Sequence, residues 1–276
     1  MRTKKTSKGK KVKPEKVKKK GFGVFISLIG MMVWVAASVI ASQFLIGYIM
    51  VLIIGVENFG RPVWTAVYSA LSYVVAMLLI IMVPAGIKRR RKAEENKKDV
   101  VTDKSDSSVR NSLGLRGMPT WVDIGLAPVG FIVYLLIAAG LTALFTCFPW
   151  FDAEEVQEVG FSIYVAGLDR IIAFITLVVV APIAEEIIFR GWLYDKMRAR
   201  LSEYVSEKLS VGLSIFLVSL LFGIVHLQWN VGVNVFALSI VLCGLREITG
   251  TIYSGILLHM LKNGIAFYLL YVLGMG

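Results

Sequence analysis

Histidine is nearly absent: the 276 residues carry two, His226 and His259. Cysteine is as scarce, with two residues at 147 and 243 in or beside apolar runs, so no disulfide framework or cysteine-rich metal site can be assembled. Two histidines 33 positions apart exclude the H-E-x-x-H zinc motif. Acids are outnumbered, 19 against 30 Lys and Arg, which leaves few carboxylates for acid–base chemistry. No internal repeat is evident, and this argues against the inverted-repeat transporter folds. Long polar stretches are missing from most of the chain.

What fills the space is apolar. Hydrophobic residues make up 57% and mean hydropathy is +0.72. Several runs exceed the ~18 residues that mark a membrane-spanning helix, for example 64–87 and 124–147. The composition predicts an all-α, polytopic membrane helix bundle. Seven spans are expected, within a range of six to eight, at roughly 22–50, 64–87, 124–147, 162–189, 211–227, 232–246 and 251–273.

Charge orients these spans. Arg2 to Lys20 holds eleven bases against one acid, Glu15, and reads as a disordered cytoplasmic tail over 1–20 that touches anionic lipid. The apolar stretch after it is too long for a cleaved signal peptide. Two spans follow over 21–87, then a polar, basic and flexible cytoplasmic linker over 88–119. The core is expected over 120–276. Within it "FPWFDAEEVQEVG" (148–160) has four acids and no base and belongs outside, while the basic 195–208 segment belongs inside. The Trp and Tyr positions, Trp121 among them, read as interfacial belts without a chemical role. The protein is expected in a bacterial plasma membrane, with its N-terminus cytoplasmic and no nucleic-acid partner.

Polar residues at membrane depth are costly and mark functional sites. From the fourth span onward they are Asp169, Arg170, Glu185, Glu186, Arg190, His226, Arg246, Glu247, His259, Lys262 and Asn263. Asp169–Arg170 and Arg246–Glu247 read as neighbouring charges that compensate each other. Glu186 and Arg190, spaced i,i+4, can pair on one helix face. Glu185 points about 100° away and has no partner in its own helix. Asn263 shares the face of His259, and Phe222 lies one turn before His226 as an apolar wall. Twenty residues separate Glu185 from Val205, and twenty-one separate Val205 from His226. An antiparallel hairpin turning near 202–206 therefore brings Glu185 and His226 to one depth. His259 fits less well, about 12 Å into its helix against about 22 Å for His226, unless the sixth segment is short or half inserted.

A desolvated carboxylate beside a histidine can deprotonate water, and a second histidine with an amide can stabilise an oxyanion. No serine or cysteine stands where a nucleophile would be needed. Zinc on Glu185, His226 and His259 is a second possibility for the same residues.

"EEIIFRG" (185–191), "FGIVH" (222–226) and "HMLKN" (259–263) resemble, in order, the three motifs of the CPBP family. These are the CAAX proteases and bacteriocin-processing enzymes, also called Abi, which include type II CAAX prenyl endopeptidases. The resemblance covers about 120–276. It implies an intramembrane endopeptidase with a water-filled cavity open to the cytoplasmic side. By that similarity Glu185 is the general base, His226 positions the water, and His259 with Asn263 stabilises the oxyanion. Glu186 and Arg190 support the site. No cofactor is obligatory, zinc remaining the alternative. The partners implied are membrane lipids and a peptide or lipidated protein substrate, bacteriocin-like precursors included. The competing readings are a non-proteolytic immunity factor or scaffold for a membrane signalling partner, and a proton-coupled carrier.

Overall fold

The computed structural model describes residues 14–87, 90, 110, 111, 113–155, 161, 162 and 165–274. The described residues contain helices and no strand. Seven helices are long and apolar enough to cross a membrane: α1 (Phe22–Ile54), α2 (Pro62–Ile87), α3 (Trp121–Phe145), α4 (Gly167–Ser202), α5 (Glu207–Ile224), α6 (Trp229–Thr249) and α7 (Tyr253–Val272). The number matches the expected seven. The helix that becomes α1 starts at Pro14, so the last part of the tail expected to be disordered is helical. Most of the linker expected over 88–119 lies outside the described residues. Its final portion is packed, with Leu113 buried against α4.

Lipid tails are as apolar as leucine, so close packing and buried polar contacts must hold such a bundle together. The α5–α6 crossing shows how. A Cβ placed on Gly223 would stand 2.9 Å from the Gly232 carbonyl oxygen, and the reverse distance is 3.0 Å. Only glycine at both positions allows this approach. At Gly191 of α4 a Cβ would lie 2.9 Å from the Leu113 carbonyl oxygen, which seats the end of the linker on the helix that carries the motif. Helix α6 is the innermost, with 61% of its apolar window buried against 22% for α1. It is a full-length helix of 21 residues, not the short segment the depth mismatch had suggested.

Buried polar residues fix the remaining register. Asp123 caps α3 through a reciprocal bond with Thr120, and accepts from Ser254 Oγ at 2.6 Å at the start of α7. Glu247 does not pair with its neighbour Arg246. It accepts instead from Tyr194 and Arg198 of α4. Arg170 likewise donates to the Val165 carbonyl, and no ion pair joins it to Asp169 among the described residues. Adjacent residues on a helix point apart, so cross-helix partners replace the sequence neighbours.

The Glu247 contacts also resolve the depth problem of His259. They hold Tyr194 level with the end of α6, so the nine residues Tyr194–Ser202 overhang the α6–α7 turn by about 13 Å. Phe222 lies about 22 Å along α5, hence about 9 Å above that turn, which is the height of His259. His226 stands one turn further on, in the turn just past the end of α5. The hairpin does turn over 203–206.

Candidate active site

Helix α4 is not a regular α-helix. Two π segments, Ile175–Val180 and Ile187–Leu193, bracket the short α-helical stretch Ala181–Glu186. Wide turns of this kind recur at functional sites. In the first of them Ala181 N–H donates to Thr176 O, five residues back. The next donor in that pattern would be residue 182, but Pro182 has no N–H. The Leu177 carbonyl is thereby left open, and Asn263 Nδ2 of α7 donates to it at 2.9 Å. One amide hydrogen of Asn263 thus has a structural task, and the second is free for another.

Glu186 and Arg190 are both fully buried, with Arg190 Nη1 donating to Glu186 Oε1 at 2.9 Å. The pair reaches further than sequence spacing suggested. His259 Nδ1 lies 3.1 Å from the same Glu186 oxygen. A carboxylate only accepts, so Nδ1 carries the hydrogen. The other nitrogen, Nε2, points at Glu185, 3.8 Å from its Oε2. Close helix packing makes this possible, because a Cβ on Gly255 would come within 3.0 Å of Glu186 Oε2. Glu186 therefore holds His259 in one orientation, as the aspartate of a catalytic triad holds its histidine.

Glu185 has a partner that the sequence did not reveal. Tyr73 of α2 donates its hydroxyl to Glu185 Oε1 at 2.6 Å. The partner comes from another helix, in keeping with the lack of one in α4 itself, and it corrects one expectation: not every tyrosine is an interfacial belt residue. The signal was present in the position of Tyr73, in the middle of an apolar run instead of at its end. One oxygen of Glu185 is anchored by Tyr73 and the other faces His259. At 3.8 Å the two atoms make no direct hydrogen bond, and a water beside them could contact both.

His226 stands elsewhere in the cluster. Its Nδ1 donates to the Phe222 carbonyl at 2.7 Å, which leaves Nε2 as an acceptor. The direct polar contacts of Glu185 run to Tyr73 and His259, while His226 lies near enough to feel the Glu185 charge through space. Phe222 joins the two histidines. Its ring centroid is 4.9 Å from that of His226 and 6.0 Å from that of His259, and the Arg190 guanidinium sits 4.4 Å from it. Leu227, directly after His226, has a positive φ of 58°. That ends α5 abruptly and bends the chain back into α6.

The zinc alternative needs Glu185, His226 and His259 around one point. Among the described residues no group of three or more His, Cys, Asp or Glu stands close enough to hold a metal. Both histidines donate Nδ1–H to a protein acceptor and so present Nε2 as the nitrogen open to a proton or a ligand.

A cavity of about 330 Å³ reaches Lys262, three residues beyond His259. One of its walls is Phe151 and Ala153, from the loop at the end of the bundle opposite the basic hairpin. A second cavity, about 490 Å³ and mostly apolar, lies between α5 and α6 around Phe236. Neither touches the hairpin at 195–208, the side toward which an opening had been expected.

Seven spanning helices with a buried carboxylate–histidine cluster among them make this an integral, multi-pass membrane protein. Residues 167–265 match the family described as Rce1-like, type II CAAX prenyl endopeptidase Rce1-like. This segment, 99 of the 276 residues, carries all three motifs, Glu185 to Arg190, Phe222 to His226 and His259 to Asn263. Tyr73 lies outside it. No curated protein and no solved structure matches the chain.

Proposed function

We propose that the protein hydrolyses peptide bonds of membrane-associated or lipidated substrates with a water activated by Glu185. The observation that carries this reading is the divided environment of Glu185, with Oε1 bonded to Tyr73 and Oε2 facing His259 Nε2 at 3.8 Å, where both can reach one water from the side. Glu185 takes a proton from that water as its oxygen attacks the scissile carbonyl carbon. His226 Nε2, bare because Nδ1 holds the hydrogen, accepts from the same water and helps to place it. His259, aimed by the Nδ1–H bond to Glu186, turns Nε2 toward the reacting centre, where a proton on it would bond to the developing oxyanion. The free hydrogen of the Asn263 amide adds a second donor. As the C–N bond breaks, Glu185 passes its proton to the departing amine nitrogen. No covalent intermediate forms in this reading, and Glu185 does the work without a metal. The positive-inside pattern supports a cytoplasmic N-terminus and a bacterial plasma membrane.

The test is peptide cleavage by purified protein in ¹⁸O-labelled water, with a strong chelator present. One ¹⁸O in the new carboxylate, with the rate unaffected by chelation, is the expected result. A cleavage that stops on chelation would remove the metal-free mechanism, and no cleavage of any membrane peptide would favour the scaffold reading. Tyr73→Phe keeps the ring and removes one charge-assisted hydrogen bond, worth about 1.5–3 kcal/mol. In the same assay kcat should fall on the order of 10- to 100-fold, with KM and melting temperature little changed. A KM effect alone would show that Tyr73 shapes the pocket and does not position the base.

A further inference from the structure

Hydrolysis consumes one water per bond, yet the Glu185 and His259 side chains lie deep in the bundle, 16% and 5% exposed. Toward the hairpin, the described residues around them pack tightly. Ile188, Leu193, Met197 and Phe222 are each at most 1% exposed, beside the fully buried Glu186 and Arg190. The end of the linker covers this side as well. Leu113 lies buried on Gly191, and the Gly114 carbonyl accepts from the Ile252 N–H at 3.2 Å.

The opposite end is different. The cavity of about 330 Å³ between α3, α6 and α7 has Phe151 and Ala153 of the 148–155 loop at one end and Lys262 at the other. It follows α7 from Leu269 down to Lys262, about 10 Å. Polar side chains line it along the way, Asn230 and Thr142 near the loop, then Asn234 and Tyr134, which are bonded at 2.7 Å. A buried water needs roughly 10–15 Å³ and two to four polar partners, and this space supplies both. Lys262 stands where the cavity meets the site, three residues after His259 on the same face of α7. It makes no salt bridge among the described residues, and its charge reaches Glu185 and His226. Ionisable residues of spanning helices face the bundle interior or a water-filled cavity. We infer that this cavity is the route by which water reaches Glu185, entering at the 148–155 loop and passing along the Lys262 side chain. The inference rests on the proteolytic reading above.

The experiment measures access from each side of sealed vesicles with a small anionic thiosulfonate reagent that does not cross the bilayer. Cys147, exposed just past the loop end of α3, marks the loop side in the native protein, and the buried Cys243 stays in place. Ala266→Cys and Thr142→Cys, each with Cys147→Ser, put a thiol on the cavity wall. Leu136→Cys, in the same background, puts one on the exposed face of α3. Both cavity thiols should react from the side that labels Cys147, at least 10-fold faster than the Leu136→Cys thiol. Modification of Ala266→Cys should then slow peptide hydrolysis at least 10-fold through kcat, with KM little changed. The Cys147→Ser parent should keep its rate in the reagent. Cavity thiols that react no faster than Leu136→Cys, or only from the hairpin side, overturn the route. Full modification of Ala266→Cys with the rate intact also overturns it. Those results leave the proteolytic reading standing, whereas no cleavage by the unmodified protein removes that reading and the route together.

Discussion

Glu185→Gln should lower peptide hydrolysis by about 10²- to 10⁴-fold, the usual contribution of a general base. The substitution isolates the chemistry well. Glutamine has the size of glutamate, and its carbonyl oxygen can still accept from the Tyr73 hydroxyl, 2.6 Å away in the native site. The contact between α2 and α4 therefore survives, and with it the fold. What is lost is an oxygen able to take a proton from water beside His259. Melting temperature in detergent should stay within a few degrees of wild type while turnover disappears. Retained turnover would sink the assignment and move attention to His226. The neighbouring Glu186→Gln is the control. It weakens the buried pair with Arg190, so it should lower stability as well as rate.

The contrast between these two adjacent carboxylates shows what the sequence made legible. Apolar run lengths and charge asymmetry gave seven spans, because a bilayer imposes both rules on any chain that crosses it. The i,i+4 pair of Glu186 and Arg190 was readable because it lies within one helix. The partners of Glu185 were harder, since they come from helices 112 and 74 positions away in sequence. The depth of His259 was misjudged for a related reason. A helix that overhangs the turn beside it changes every level estimate, and only the Tyr194 and Arg198 bonds to Glu247 reveal that overhang. The π turns of α4 were not predictable from hydropathy. Pro182 hinted at an open carbonyl nearby, but the count of five residues back to Leu177 needs the backbone geometry.

Arg190→Met is expected to have the largest effect on stability. The side chain is fully buried, holds Glu186 at 2.9 Å, and rests 4.4 Å from the centre of the Phe222 ring. Methionine fills part of the volume but leaves the Glu186 charge without its cation. Breaking a buried pair from one side typically costs about 3–5 kcal/mol. In a chain of this size that corresponds to a melting temperature lower by on the order of 10 °C, measurable by thermal unfolding in detergent. Adding Glu186→Leu to the same protein removes the stranded carboxylate and should recover a large part of the loss, since apolar replacement of a whole buried pair is often close to neutral. Activity should not follow. Without Glu186 nothing holds His259 Nδ1, which lies 3.1 Å from that carboxylate in the native site, and the ring can turn away from Glu185. A double variant that regains both stability and turnover would show that Glu186 only balances the charge of Arg190. Regained stability without turnover would show that the pair exists to aim His259.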